Sequence, residues 1–182
     1  MKFLKYNLSL LFVILSMMTF AQPANDDCSG ATNLGTLPTP GACVSGLQNG
    51  APLTFNGQTT VGATAASPYV YQTGCAGGDM TTFALDTWYS FVATGTTVNV
   101  NITGFNNVNF GVYTGTCGNL AGRGCRIGNG TLTITQTIPG NTYYLQVSGN
   151  TTTGTDNNFT IAIDNDIDCN DCLTVSSLTA NP

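Results

Sequence analysis

From Thr97 onward, apolar residues recur at every second position in one short segment after another. Val98, Val100 and Ile102 alternate with Asn99 and Asn101, and Val108, Phe110 and Val112 repeat the pattern. Leu132 with Ile134, then Tyr143, Leu145 and Val147, and finally Phe159, Ile161 and Ile163 continue it. Successive side chains of an extended strand point to opposite faces, so this spacing gives each segment one apolar and one wet face, and no segment carries a helical period. Turn chemistry such as Pro139-Gly140 separates the segments. The pattern predicts an all-β, two-sheet antiparallel β-sandwich, jelly-roll-like, of about eight strands.

Asp86-Thr-Trp-Tyr-Ser-Phe-Val-Ala-Thr94 breaks the alternation. Trp88 and Val92 fall on one side of this presumed strand and Tyr89 and Phe91 on the other. A strand that is apolar on both faces needs cover on both and should lie centrally. On this reading Tyr89 and Phe91 face away from the sandwich core, and the Gly- and Pro-rich segment Ala31–Asn56, irregular with one or two edge strands, covers them. Thr59–Ala65 reads as the first full strand, and Gly74–Asp79 as a loop.

Lys2 and Lys5, an apolar run from Leu8 to Phe20 and then Ala21 have the layout of a secretory signal peptide, residues 1–21. The alternative, a membrane anchor, needs about 20 apolar residues and the run is shorter. Residues 22–163 form the predicted sandwich. Asp164–Cys172 reads as an acidic, Cys-containing linker, and Leu173–Pro182 as the start of a further segment or domain. Localisation is secreted or cell-surface, with no membrane insertion after signal cleavage.

Charge excludes several function classes. All nine acidic residues are Asp, there is no Glu or His, and Arg123 and Arg126 are the cations left once Lys2 and Lys5 are removed, taking the formal charge from −5 to −7. Phosphate backbones and anionic membranes need clustered Lys and Arg, so nucleic acid is excluded as a partner. Ser–His–Asp and Cys–His nucleophile systems have no His, and a two-carboxylate hydrolase has no positive signal, so the chain reads as noncatalytic.

Five segments occur in an order that carries a family resemblance: Asn25–Ala31, Asp86–Phe91, Phe110–Gly118, Pro139–Val147 and Phe159–Ile161. Together they resemble the bacterial pre-peptidase C-terminal (PPC-like) β-sandwich domains, as found in large secreted and surface proteins of Bacteroidota. The resemblance spans about Asn25 to Ile163. It implies a jelly-roll-like accessory module in adhesins or beside secreted enzymes. The family's acidic turn after the cysteine matching Cys125 is replaced here by Arg126–Gly130, and Ala162 stands where the family has a strand cysteine.

Seven cysteines in an exported chain read as disulfides with one thiol left over. Cys117 and Cys125 flank a Gly-rich loop, Gly118–Gly124, and are the candidate pair, whereas Cys28, Cys43, Cys75, Cys169 and Cys172 cannot be connected from sequence. Cys169 and Cys172 have CxxC spacing but neither the helix that redox chemistry uses nor the second ligand pair that zinc requires, which favours structural disulfides. Asp164, Asp166 and Asp168 place a carboxylate at every second residue and are the candidate calcium ligands, against a solvated acidic linker. Asp26, Asp27 and Asp79 are weaker candidates. Tyr69, Tyr71 and Tyr113 form the candidate ligand surface, where tyrosine rings beside Asn and Asp suit sugar stacking; the alternative is tyrosine buried in or over a sheet. The predicted function is a noncatalytic module supporting adhesion by binding an extracellular glycan or surface protein, with a ligand-free structural spacer or an accessory domain of a hydrolase as alternatives.

Overall fold

The computed structural model describes residues 22–39, 52–65, 72–75, 78–80, 85–104, 108–149 and 158–165. Residues 1–21 of the predicted leader, Tyr69, Tyr71, Asp166, Asp168, Cys43, Cys169 and Cys172 lie outside the described residues. Among the described residues no helix is long and apolar enough to cross a membrane.

The period-two segments form two sheets. One contains, in spatial order, β1 (Thr32–Thr36), β5 (Leu85–Val92), β10 (Thr142–Gly149), β7 (Val108–Thr116) and β8 (Asn119–Ile127). The other contains β2 (Leu53–Thr59), β11 (Asn158–Asn165), β6 (Thr97–Gly104) and β9 (Gly130–Thr135). A separate hairpin pairs β3 (Gln72–Cys75) with β4 (Gly78–Met80). Every pairing is antiparallel except β1 with β5. From β5 to β11 the chain passes repeatedly from one sheet to the other, staying in the same sheet only at the β7–β8 hairpin. That wiring gives the β-sandwich expected from the alternation.

The core sits between the sheets and uses the residues that the alternation selected. Val98, Val100 and Ile102 on β6, Phe110 and Val112 on β7, Leu145 and Val147 on β10, and Ile161 and Ile163 on β11 are all buried there. Large buried side chains of this kind contribute about 1.5–3 kcal/mol each to the gross stability. Leu34 and Leu37 add to the core from β1 and the residues after it. β1 and β2 are edge strands, as the Ala31–Asn56 composition indicated.

Three expectations are corrected. First, Tyr89 and Phe91 belong to the inter-sheet core, where Tyr89 meets Phe159 edge-on at 6.1 Å and Phe91 stacks on Tyr143 at 5.8 Å. Trp88 is the residue on the outside. The reason is that the Thr32–Thr36 segment extends the sheet by pairing beside β5, so it cannot also lie over its Tyr89 face. Second, Thr59–Ala65 is not a strand: β2 ends at Thr59 and the chain turns at Val61-Gly62.

Third, Cys117 does not bond to Cys125. Gly118–Gly124 is not a loop but the turn into β8 and most of that strand. Thr116 faces Asn119 across a two-residue connection, Cys117-Gly118, in which Gly118 has φ +131°. An extended strand then carries Cys125 on the order of 20 Å away at ~3.3 Å per residue, beyond the reach of a disulfide. Cys117 bonds instead to Cys28, and Cys125 to Cys75, with Cα separations of 5.5 and 4.7 Å.

Candidate functional site

The outer face of the five-stranded sheet carries an unusual set of side chains for a surface facing away from the core. Register places Asp86 of β5 opposite Ser148 of β10, and Ser148 opposite Asn109 of β7. One pleat along, Trp88 faces Gln146, and Gln146 faces Gly111. Tyr113 lies a further pleat along β7, opposite Gly122 of β8. Asp86, Gln146, Ser148 and Tyr113 have no accessible surface, and Trp88 and Asn109 have almost none.

A polar relay crosses this face. The Tyr113 hydroxyl donates to Gln146 Oε1 at 2.8 Å, and Gln146 Nε2 donates to Asp86 Oδ2 at 2.9 Å. Burial pushes the Tyr113 hydroxyl up to about 12, with a smaller lowering from the Gln72 side chain and a raising by the Asp86 charge, so it stays protonated and remains a donor. The Trp88 ring lies 5.6 Å from that of Tyr113, tilted by 41°. Trp88 Nε1, Ser148 Oγ and Asn109 Oδ1 are buried and have no hydrogen-bond partner among the described residues. Buried polar atoms of this kind are exceptional, and three on one face call for an explanation.

Among the described residues, two separate parts of the chain cover the face. At the β5 side, the Pro23–Ala31 segment folds back: Trp88 N donates to Asn25 O at 2.8 Å, Asn25 Nδ2 donates to Trp88 O at 3.2 Å, and Cys28 and Ala31 pack near the indole. The Cys28–Cys117 disulfide anchors that segment to the β7–β8 turn. Asp26 accepts from the Thr64 backbone N–H and, at 2.7 Å, from the Thr64 hydroxyl, while Asp86 N donates to Thr64 O at 3.1 Å. Asp26 is therefore a structural acceptor.

At the β8 side, the β3–β4 hairpin lies against the sheet, held by Cys75–Cys125. Its Gln72 side chain reaches across β7 and β8, and glycine makes this approach feasible. A Cβ on Gly111 would come within 2.5 Å of Gln72 Nε2, and one on Gly122 within 2.6 Å of Gln72 Oε1. Gly122 itself is exposed, so Gln72 lies at the rim between the buried cluster and solvent.

Of the residues singled out from sequence, Tyr113 belongs to this cluster, but it is fully buried and is no exposed ligand platform as the structure stands. Tyr69 and Tyr71 fall outside the described residues. Asp164 is not in a linker: it is an outward-facing residue of β11, opposite Asn99 of β6. Among the described residues no three metal-ligating side chains come together. Arg123 donates to the carbonyls of Thr135 and Gln136, and Arg126 to that of Asn129, so both cations tie β8 to β9 and its flanks. Sequence reasoning missed Asp86, Gln146, Ser148 and Asn109. Their signal was present as polar residues inside otherwise apolar strands.

The fold and this covered face define a small all-β sandwich module without a catalytic constellation among its described residues. The chain belongs to the galactose binding domain-like family associated with the type IX secretion system, which it matches over residues 24–161. This replaces the narrower PPC assignment while retaining a β-sandwich domain of the Bacteroidota type. No curated protein matches the chain. Among solved structures, the periplasmic inhibitor of g-type lysozyme from Aeromonas hydrophila, PliG, is similar at 18% identity and a TM-score of 0.37. That alignment covers 73% of this chain and 98% of the inhibitor. The secretion-system association and the two disulfides indicate an extracellular or periplasmic setting.

Proposed function

We propose that this protein is a noncatalytic carbohydrate-binding accessory module that attaches a secreted or surface-exposed protein to glycan. The observation that carries the reading is the family match across the sandwich. The charge inventory agrees with it. Neutral sugars are bound by aromatic faces and uncharged or acidic hydrogen-bonding groups, and this chain is rich in those and nearly devoid of cations. A glycan array probed with the folded domain tests the reading, with retention on neutral, galactose-containing glycans expected. Absence of binding to every glycan, with and without calcium, would overturn it.

Calcium is a separate element of this proposal. Asp164, Asp166 and Asp168 are its proposed ligands, and the expected outcome is a melting temperature that falls on chelation. An unchanged value removes the ion from the account.

A further inference from the structure

We propose that the covered face of the five-stranded sheet is itself the sugar site, closed in this conformation on its β8 side by the β3–β4 hairpin, with Gln72 as its plug, while the Pro23–Ala31 segment stays over the Trp88 edge as a fixed wall. The proposal rests on the carbohydrate reading and assigns it a location.

Four observations converge on that face. Trp88 and Tyr113 supply adjoining aromatic surfaces, the feature that holds the apolar face of a pyranose. Asp86 and Gln146 supply a carboxylate and a carboxamide in one relay, the groups that take pairs of sugar hydroxyls. Trp88 Nε1, Ser148 Oγ and Asn109 Oδ1 offer a donor, a hydroxyl and an acceptor, buried and without partners among the described residues. A hydroxyl-rich ligand would satisfy all three. Arg123 and Arg126 are engaged by the Thr135, Gln136 and Asn129 carbonyls, and the charged group in the cluster is the Asp86 carboxylate, which favours a neutral hexose over a uronic acid, a sulfated sugar or a phosphate. From β5 across β10 to β7 the face is about 9–10 Å wide, enough for one sugar ring.

Gln72 covers the part of this face that lacks side chains. Its carboxamide lies over Gly111 and Gly122, where a flat group bearing donors and acceptors fits against bare backbone. Gln72 comes from a two-stranded hairpin that the Cys75–Cys125 disulfide ties to β8. A hairpin of this size has little stability of its own, so it can lift while the sandwich stays folded. A binding-competent state populated only when the hairpin is lifted weakens the observed affinity by the fraction of time it is open, and loosening the hairpin removes that penalty.

The test measures binding of methyl β-galactoside and a panel of neutral hexosides by calorimetry in four proteins: the native domain, Q72A, C75S/C125S and Q72A/Q146A. Circular dichroism establishes that each is folded, and Q72A retains both disulfides in case the double cysteine variant does not fold. Tenfold or greater tightening in Q72A, lost again in Q72A/Q146A, is the expected result. Hexoside binding of equal strength in the native protein, Q72A and Q72A/Q146A would place the sugar elsewhere and overturn this site while leaving the carbohydrate reading intact. No binding by any folded form overturns both.

Discussion

The two outer faces of this sandwich come from strands of the same kind and end up as opposites. The face of the four-stranded sheet presents Asn99, Asn101 and Thr103 of β6, Thr131 and Thr133 of β9 and Asp164 of β11 to solvent, wholly or in part. Some of its polar groups pair locally, as where the Thr133 hydroxyl donates to Asn99 Oδ1 at 2.7 Å, although Asn101 Oδ1 is buried without a hydrogen-bond partner among the described residues. The face of the five-stranded sheet is closed over by the Cys28 segment and the β3–β4 hairpin, and it buries an aspartate, a glutamine, a serine and two aromatic rings. A wet face costs little and specifies little. A covered polar face is expensive unless each group is matched, so its composition carries information about what it does.

The largest effect that would break this contrast is loss of the covering segments. Each disulfide closes a long loop, spanning 89 residues for Cys28–Cys117 and 50 for Cys75–Cys125. In the chain-entropy account each contributes about 4 kcal/mol. Reduction is therefore expected to lower the denaturant midpoint sharply, and C28S/C117S should cost about 2–5 kcal/mol in urea unfolding. An unchanged midpoint on reduction would mean that the two outer faces are equally independent of covalent support.

Next is Trp88→Ala, expected to cost about 3–5 kcal/mol because a large buried indole leaves a cavity beneath Cys28 and Leu120. A cost below 1 kcal/mol would show the covered face to be loosely packed, contrary to the burial of its ring.

How far the sequence disclosed this contrast depends on which face a strand serves. β6 was readable at once, because Val98, Val100 and Ile102 are separated by Asn and only one assignment of faces is possible. β5 was recognised as central but oriented backwards. With Trp88 on one side and Tyr89 and Phe91 on the other, hydrophobicity alone cannot say which side meets the opposite sheet. The orientation is decided by β1 pairing alongside and by the amino-terminal segment folding over Trp88, both long-range events. β8 was hidden for a different reason. Its glycines suggested a loop, yet they are small because neighbours need the room: Gly122 beneath Gln72, and Gly124, where a Cβ would come within 2.8 Å of Ile134 Cδ1. A loop over Gly118–Gly124 would bring Cys117 and Cys125 together, whereas the strand holds them apart. The candidate site was the least legible, since Asp86, Gln146 and Asn109 come from three strands and become a cluster only through cross-strand register.

Alkaline titration separates the faces by a smaller but distinctive effect. Tyr113 sits in the covered face and titrates near 12 when folded, against 10.0 for an unperturbed tyrosine; Tyr89 in the core is also raised, chiefly by burial. Above pH 10 the unfolded chain releases protons that the folded chain retains, so stability is complete below that pH and declines as pH climbs towards 12. At about 1.4 kcal/mol per unit, Tyr113 alone accounts for a loss on the order of 2–3 kcal/mol. Residues 22–182 contain no lysine to obscure this limb. Urea midpoints from pH 8 to 12 should fall for the native protein and less steeply for Tyr113→Phe. Parallel slopes would remove Tyr113 from the account.

The smallest effect belongs to the wet face. Thr133→Ala deletes the hydroxyl that donates to Asn99, but Thr133 is exposed on edge strand β9, and water can replace the lost partner. Surface substitutions of this kind stay within about 0.5 kcal/mol. The matching deletion on the covered face is Gln146→Ala, which strips Tyr113 of its 2.8 Å acceptor and Asp86 of its 2.9 Å donor where no solvent reaches, at an expected cost of about 1–3 kcal/mol. Measured side by side by thermal and urea unfolding, the pair isolates burial as the variable, since each removes a side-chain hydrogen bond from a strand. Equal costs would mean that cover makes no energetic difference, and the buried relay would then have no claim to be more than an ordinary outer face.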